Sequence, residues 1–137
     1  MLDAALALYA LVSLGLLALA LRYGVGAVPL GYHAEILARD GAAPGANARL
    51  VLGALYRTLA GALAAMALLV AGGAALTLEG APAATAGLIF AATLLAGVPA
   101  ALVPRRVEVE TGVRTPWRAS LALVAVSALA GALALAG

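Results

Sequence analysis

The stretch AATAGLIFAATLLAGVPAALV, residues 83–103, carries no charged side chain and runs straight into Pro104-Arg105-Arg106. An α-helix rises about 1.5 Å per residue, so about 20 apolar residues cross ~30 Å of hydrocarbon. The segment is long enough to span a bilayer, and the arginine pair marks the side on which it stops. Pro99 predicts a kink or a shortened span, and Pro104 predicts its end, because proline lacks the amide that continues a helix.

Three further stretches share this character. Residues 4–21 are uncharged, with Tyr9 and Ser13 as their only polar side chains; residues 48–72, or on to 78, form a longer run; residues 117–136 carry only Arg118, Ser120 and Ser127 as polar groups besides Trp117. The chain is 66% hydrophobic and 10% charged, against about 25% charged in a soluble domain. A soluble chain of this length has too little polar surface to cover that much apolar material. The sequence therefore predicts one all-α membrane domain, residues 1–137, built as a transmembrane four-helix up-down bundle. Met1-Leu2-Asp3 precedes the first apolar run without a basic residue, which predicts a retained helix and not a cleaved signal peptide.

The connections are as informative as the spans. Loop one, residues 22–47, opens with Gly24, Gly26 and Pro29 and then reads Tyr32-His33-Ala34-Glu35-Ile36-Leu37-Ala38-Arg39-Asp40. This pattern predicts a short interfacial helix with Ile36 and Leu37 toward lipid, and Glu35 and Arg39 paired at i,i+4. Asn47 is the expected N-cap of the second span. Gly72-Gly73 marks a place where that span can bend or fray, and Glu79-Gly80 with Pro82 predicts a tight turn. In Arg105-Arg106-Val107-Glu108-Val109-Glu110 the alternating character fits a short extended ribbon or a frayed helix end. Thr115-Pro116 reads as N-cap and first residue of the last helix.

Arginine counting sets the orientation. There is no lysine; Arg22, Arg39, Arg49 and Arg57 belong to loop one and its flank, and Arg105, Arg106, Arg114 and Arg118 to the connection at 104–116. The opposite side holds only Asp3 and Glu79. Cytoplasmic loops are enriched in arginine and lysine, so both basic connections are expected in the cytoplasm and both termini outside. The expected location is a bacterial inner membrane. Tyr23, Tyr32, Tyr56 and Trp117 fall on the arginine side, as an aromatic belt does. Close packing between helices is expected at small residues: Gly53, Ala60, Gly61, Ala64 and Ala65 in the second span, and Ala128, Gly131, Ala132 and Ala134 in the fourth.

Several activities lack the residues they need. Cysteine is absent, which removes disulfide, thiolate-metal and thiol redox chemistry. His33 is the sole histidine; a metal centre requires three or four ligands, and haem held between helices requires two facing histidines. No metal and no cofactor is expected. No carboxylate falls within a span, where ion-coupled transporters place one. The arginines do not form a basic run interleaved with aromatics, so nucleic acid is not an expected partner. The expected partners are the lipid bilayer and a second copy or another membrane protein.

Four residues are candidates for a site. Arg57 lies about 10 Å past Leu50 along the second span, where a charge costs up to ~2.5–3.5 kcal/mol unless it snorkels. It reads either as a topology anchor or, with Arg49 on the same face, as a group for an anion, a lipid phosphate or a carboxylate. His33 and Glu35 form a His-x-Glu pair in loop one. The first functional expectation is a non-enzymatic structural, accessory or self-associating component. The alternatives are a carrier or binder of a small anionic or lipid ligand at Arg57, and a membrane-surface enzyme using His33 and Glu35.

Gly31-Tyr32-His33-Ala34, Arg57-Thr58-Leu59-Ala60-Gly61, and Thr111-Gly112 followed by Arg114-Thr115-Pro116-Trp117 give the chain a resemblance to a group of small, uncharacterised bacterial inner-membrane proteins. The resemblance implies a four-helix fold and carries no known activity and no functional residues.

Overall fold

The computed structural model describes residues 1–39, 41, 43–80 and 83–136, and among them are five α-helices: α1 (Leu2–Val25), α2 (Gly31–Arg39), α3 (Ala46–Leu78), α4 (Ala83–Thr111) and α5 (Trp117–Leu135). No strand occurs among the described residues. α1, α3, α4 and α5 are each long and apolar enough to cross a membrane. α2 is the short helix expected in loop one; Asp40 and Pro82 lie outside the described residues.

The long helices form a ring. α1 packs most extensively on α3 and also on α5; α4 packs closely on α5 and only lightly on α3. The core gathers Tyr9 and Val12 of α1, Val70 and Ala74 of α3, Ile89 of α4 and Ala130 of α5. The buried set is otherwise small, with Ala5, Ala67, Ala86, Ala101, Ser13, Thr93 and Ser127 inside. The large leucines point outward: Leu14, Leu68, Leu88, Leu95 and Leu129 are all more than half exposed. A soluble bundle has the reverse pattern. Lipid is as apolar as leucine, so leucine gains nothing by burial there, and small residues let backbones approach.

The contacts are tight at glycine. A Cβ on Gly73 of α3 would collide with Ile89 of α4, one on Gly97 of α4 with Val124 of α5, and one on Gly15 of α1 with Leu123 of α5. Hydroxyls add direction. Ser13 Oγ donates to the Ala67 carbonyl at 3.0 Å, joining α1 to α3. Ser127 Oγ donates to Thr93 Oγ1 at 3.2 Å, joining α5 to α4, and Thr93 in turn donates to Ile89 O at 2.7 Å.

Five local expectations are corrected. Pro104 does not end the third span: α4 continues through Pro99 and Pro104 to Thr111, so 105–110 is helical. Along the continuation Arg106 pairs with Glu110 at 2.7 Å and Thr111 Oγ1 donates to Val107 O. It ends where Gly112, at φ +68°, donates its amide to Glu108 O, a left-handed conformation that suits glycine. Asn47 is not the cap of α3; Gly45 is. Thr115 does not cap α5, whose N-cap is Pro116; its hydroxyl is drawn back to α4. Gly61 and Ala65 are exposed, and the inner face of α3 is instead Gly53, Tyr56, Ala67, Val70, Gly73 and Ala74. α3 also runs unbroken through Gly72-Gly73.

Candidate functional site: a polar cap and an apolar cavity beneath it

The arginine side carries two polar clusters. In the first, the chain leaves α1 at Gly26, passes a cis Val28–Pro29 peptide and enters α2. Tyr56 of α3 receives it: the buried Leu30 amide donates to Tyr56 Oη at 3.3 Å, and Tyr56 Oη is also hydrogen-bonded to His33 Nδ1. Since Tyr56 Oη accepts from Leu30, its own proton is the one available for His33. In the tautomer with the ring proton on Nε2, Nδ1 accepts that proton. His33 stacks on Tyr32 at 3.9 Å between ring centroids, and Tyr23 of α1 meets Tyr56 edge-on at 5.5 Å. Burial holds the His33 pKa below its ordinary value. Burial, then a hydrogen bond with Tyr23, pushes Tyr32 up. Both groups are therefore neutral near pH 7.

The far end of α2 reaches α4. Arg39 donates to the Thr111 carbonyl and pairs with Glu35 at 3.4 Å. α2 is thus pinned at one end to α3 and at the other to the end of α4.

The second cluster closes the α4–α5 connection. Glu108 Oε2 accepts the Thr115 amide at 2.8 Å, and its Oε1 accepts from Arg118 at 3.1 Å. The Thr115 hydroxyl has one proton, offered to Pro104 O at 2.9 Å and Glu108 Oε2 at 3.3 Å. The Trp117 ring has the Arg118 guanidinium at 4.6 Å and that of Arg105 at 5.8 Å from its centroid, both within cation–π range.

The four candidate residues do not converge. His33 bonds to Tyr56 and Glu35 pairs with Arg39. Arg49 is exposed at the start of α3. Arg57 is also exposed and folds back over Gly53: a Cβ on Gly53 would lie 3.7 Å from Arg57 Nη1 and 3.8 Å from Val28. Among the described residues no group of three His, Asp or Glu side chains is placed to hold a metal ion. Sequence reasoning missed Tyr56 as the partner of His33, although its aromatic neighbours on the same membrane side were a signal. It also missed Glu108 as the tie across the last connection.

Beneath the second cluster lies a cavity of about 280 Å³ to which α1, α3, α4 and α5 all contribute. Leu16 and Leu19 line it from α1, Leu63 and Met66 from α3, Gly97 from α4 and Leu123 from α5; Thr93 and Ser120 are its only polar side chains. Arg57 is not part of its wall.

No family model matches the chain, and neither a curated protein nor a solved structure matches it. Its function is therefore argued from its own residues.

Proposed function

We propose that the protein is a non-enzymatic component of a bacterial inner membrane: an up-down bundle of α1, α3, α4 and α5 with its arginine side in the cytoplasm and its termini outside, acting as an accessory or self-associating unit. The observation that carries this reading is the use to which polar groups are put. Ser13, Thr93 and Ser127 join helices within the apolar section. His33 and Glu108 join helices or connections within the cap, and Glu35 pairs with Arg39 inside α2. Each is engaged in holding the fold, whereas a general acid–base group must reach a substrate proton. Arg49 and Arg57 then serve as snorkelling anchors at the cytoplasmic surface.

Reporter fusions after Ala43 and after Leu135, combined with crosslinking in mild detergent, test the reading. The expected result is an active cytoplasmic reporter at Ala43, an active periplasmic reporter at Leu135, and a crosslinked species larger than the monomer. A strictly monomeric protein without a co-purifying partner would count against the accessory role, and a cytoplasmic reporter at Leu135 against the orientation.

A further inference from the structure

The apolar cavity has a direction. Leu59 and Ala62 of α3 and Ala96 and Ala100 of α4 line it and are exposed, whereas Val12 of α1 and Thr93 of α4 line it and are buried. It therefore opens sideways, between α3 and α4. These helices touch closely where Gly73 meets Ile89 and are otherwise the most lightly packed neighbours of the ring. From Thr93 to Ala100 the lining of α4 covers about 10 Å along the axis.

The arginine end of the cavity is marked. Ser120 lines it, and Trp117 stands one turn earlier on α5; Ala100 lines it, and Arg105 stands just over one turn later on α4. The Arg105 guanidinium lies 5.8 Å from the centroid of the Trp117 ring, which brings together the two helix ends that follow Ala100 and precede Ser120. Arg118 is neutralised by Glu108. Among the described residues Arg105 makes no ion pair.

An apolar cavity of ~150 Å³ already stays dry and takes up a hydrocarbon; this one is about 280 Å³, and in a membrane its mouth faces hydrocarbon. We propose that it holds one acyl chain of an anionic phospholipid, inserted laterally between α3 and α4, with the lipid phosphate at Arg105. The inference rests on the transmembrane reading of the helices. A tryptophan at the headgroup level and an arginine beside it match the two ends of such a ligand: the chain lies against Leu63, Met66 and Leu123, and the phosphate meets the guanidinium. A zwitterionic lipid offers the same chain with a weaker claim on Arg105.

Trp117 is the only tryptophan and reports on the site without a label. The full chain, reconstituted in vesicles, is titrated with phosphatidylglycerol brominated at carbons 6 and 7 of one chain, and in parallel with the equally brominated phosphatidylcholine. Trp117 fluorescence is expected to be quenched at an about fivefold lower mole fraction by the anionic lipid, the preference that one arginine near a membrane surface supplies. Arg105→Gln is expected to bring the two lipids together. Ala62→Phe with Ala96→Phe, which fills the mouth from exposed positions, is expected to remove the saturable part of the quenching. Equal quenching of wild type and the filled variant, or no headgroup preference in the wild type, overturns the proposal. Native mass spectrometry of the unmodified protein reads the same claim without substitutions: one phospholipid retained per chain supports it, and a lipid-free chain refutes it. Protein extracted from the vesicles by carbonate would refute the transmembrane reading itself, whereas protein that stays integrated but lacks selective quenching refutes only the lipid site.

Discussion

α3 has two packed sides and treats them differently. Toward α1 and α2 it offers Gly53, Tyr56 and Ala67 and is held by a long interface, by the Ser13 hydrogen bond and by the Tyr56–His33–Leu30 cluster. Toward α4, its partner in the hairpin, it has the tight approach at Gly73 and then the cavity. Adjacency in the chain does not decide which helices pack best. A connection brings two helices near each other, and the distribution of small and hydroxyl side chains decides how much of their length can close.

If that contrast is right, the α3–α4 side should break first and most abruptly. Gly73→Leu places a branched side chain where Ile89 already sits and is expected to cost about 1–3 kcal/mol by overpacking, or more if the hairpin parts. Thermal unfolding in detergent measures it; a stability equal to wild type would show that the approach of α3 to α4 is not close. On the α1 side, Tyr56→Phe leaves the buried Leu30 amide and His33 Nδ1 without their partner, a local loss of about 1–3 kcal/mol. Faster hydrogen exchange confined to residues 26–39 is the expected readout, with α4 and α5 unchanged.

The same bond gives a pH dependence of no greater size. The folded pKa of His33 lies below its ordinary 6.5 because burial disfavours the charged ring. The undocked helix therefore binds the proton more readily, and α2 docking is complete above about pH 6.5 and weakens as pH falls through 6.5 toward the folded value. Protonation would also make Nδ1 a donor and strip the Tyr56 hydroxyl proton of its acceptor. Limited proteolysis of loop one at pH 5.5 and 7.5 tests this, and His33→Gln should flatten the difference. Ser13→Ala, within the longest interface, is expected to cost only ~0.6 kcal/mol, the average for interhelical hydrogen bonds in membranes. The smallest effect is expected for Glu110→Gln: its pair with Arg106 is exposed, solvent screens such a pair almost completely, and a modest rise in salt should erase what remains.

Much of the fold was legible because it depends on run length and charge. Uncharged stretches of spanning length predict the long helices, and Tyr32-His33-Ala34-Glu35 with Arg39 predicts α2; all are present. The expectations that failed were local. Pro104 reads as a stop, but the helix runs through it to the glycine end at 112, and this last stretch is tied to the following connection through Thr115 on Pro104 O and Glu108 and through Arg118 on Glu108. Thr115 reads as a cap, but its hydroxyl is taken by the Pro104 carbonyl and the Glu108 carboxylate of α4. Gly61 and Ala65 have the spacing of a packing motif, yet the helix turns them outward, since an alanine-rich helix carries small residues on every face. The candidate site was legible only in parts: His33 is visible as a lone histidine, but Tyr56 is 23 positions away.

The sequence alone determined that this chain carries four helices long and apolar enough to cross a membrane, because hydrocarbon thickness and the cost of charge act on each segment separately. It also confined the arginines to two connections and their flanks. Tertiary structure decided which small residues face inward, that α3 closes on α1 and leaves a cavity toward α4, and that Arg105 meets Trp117. Those outcomes depend on rotations and crossings of several helices at once, and no single segment carries that information.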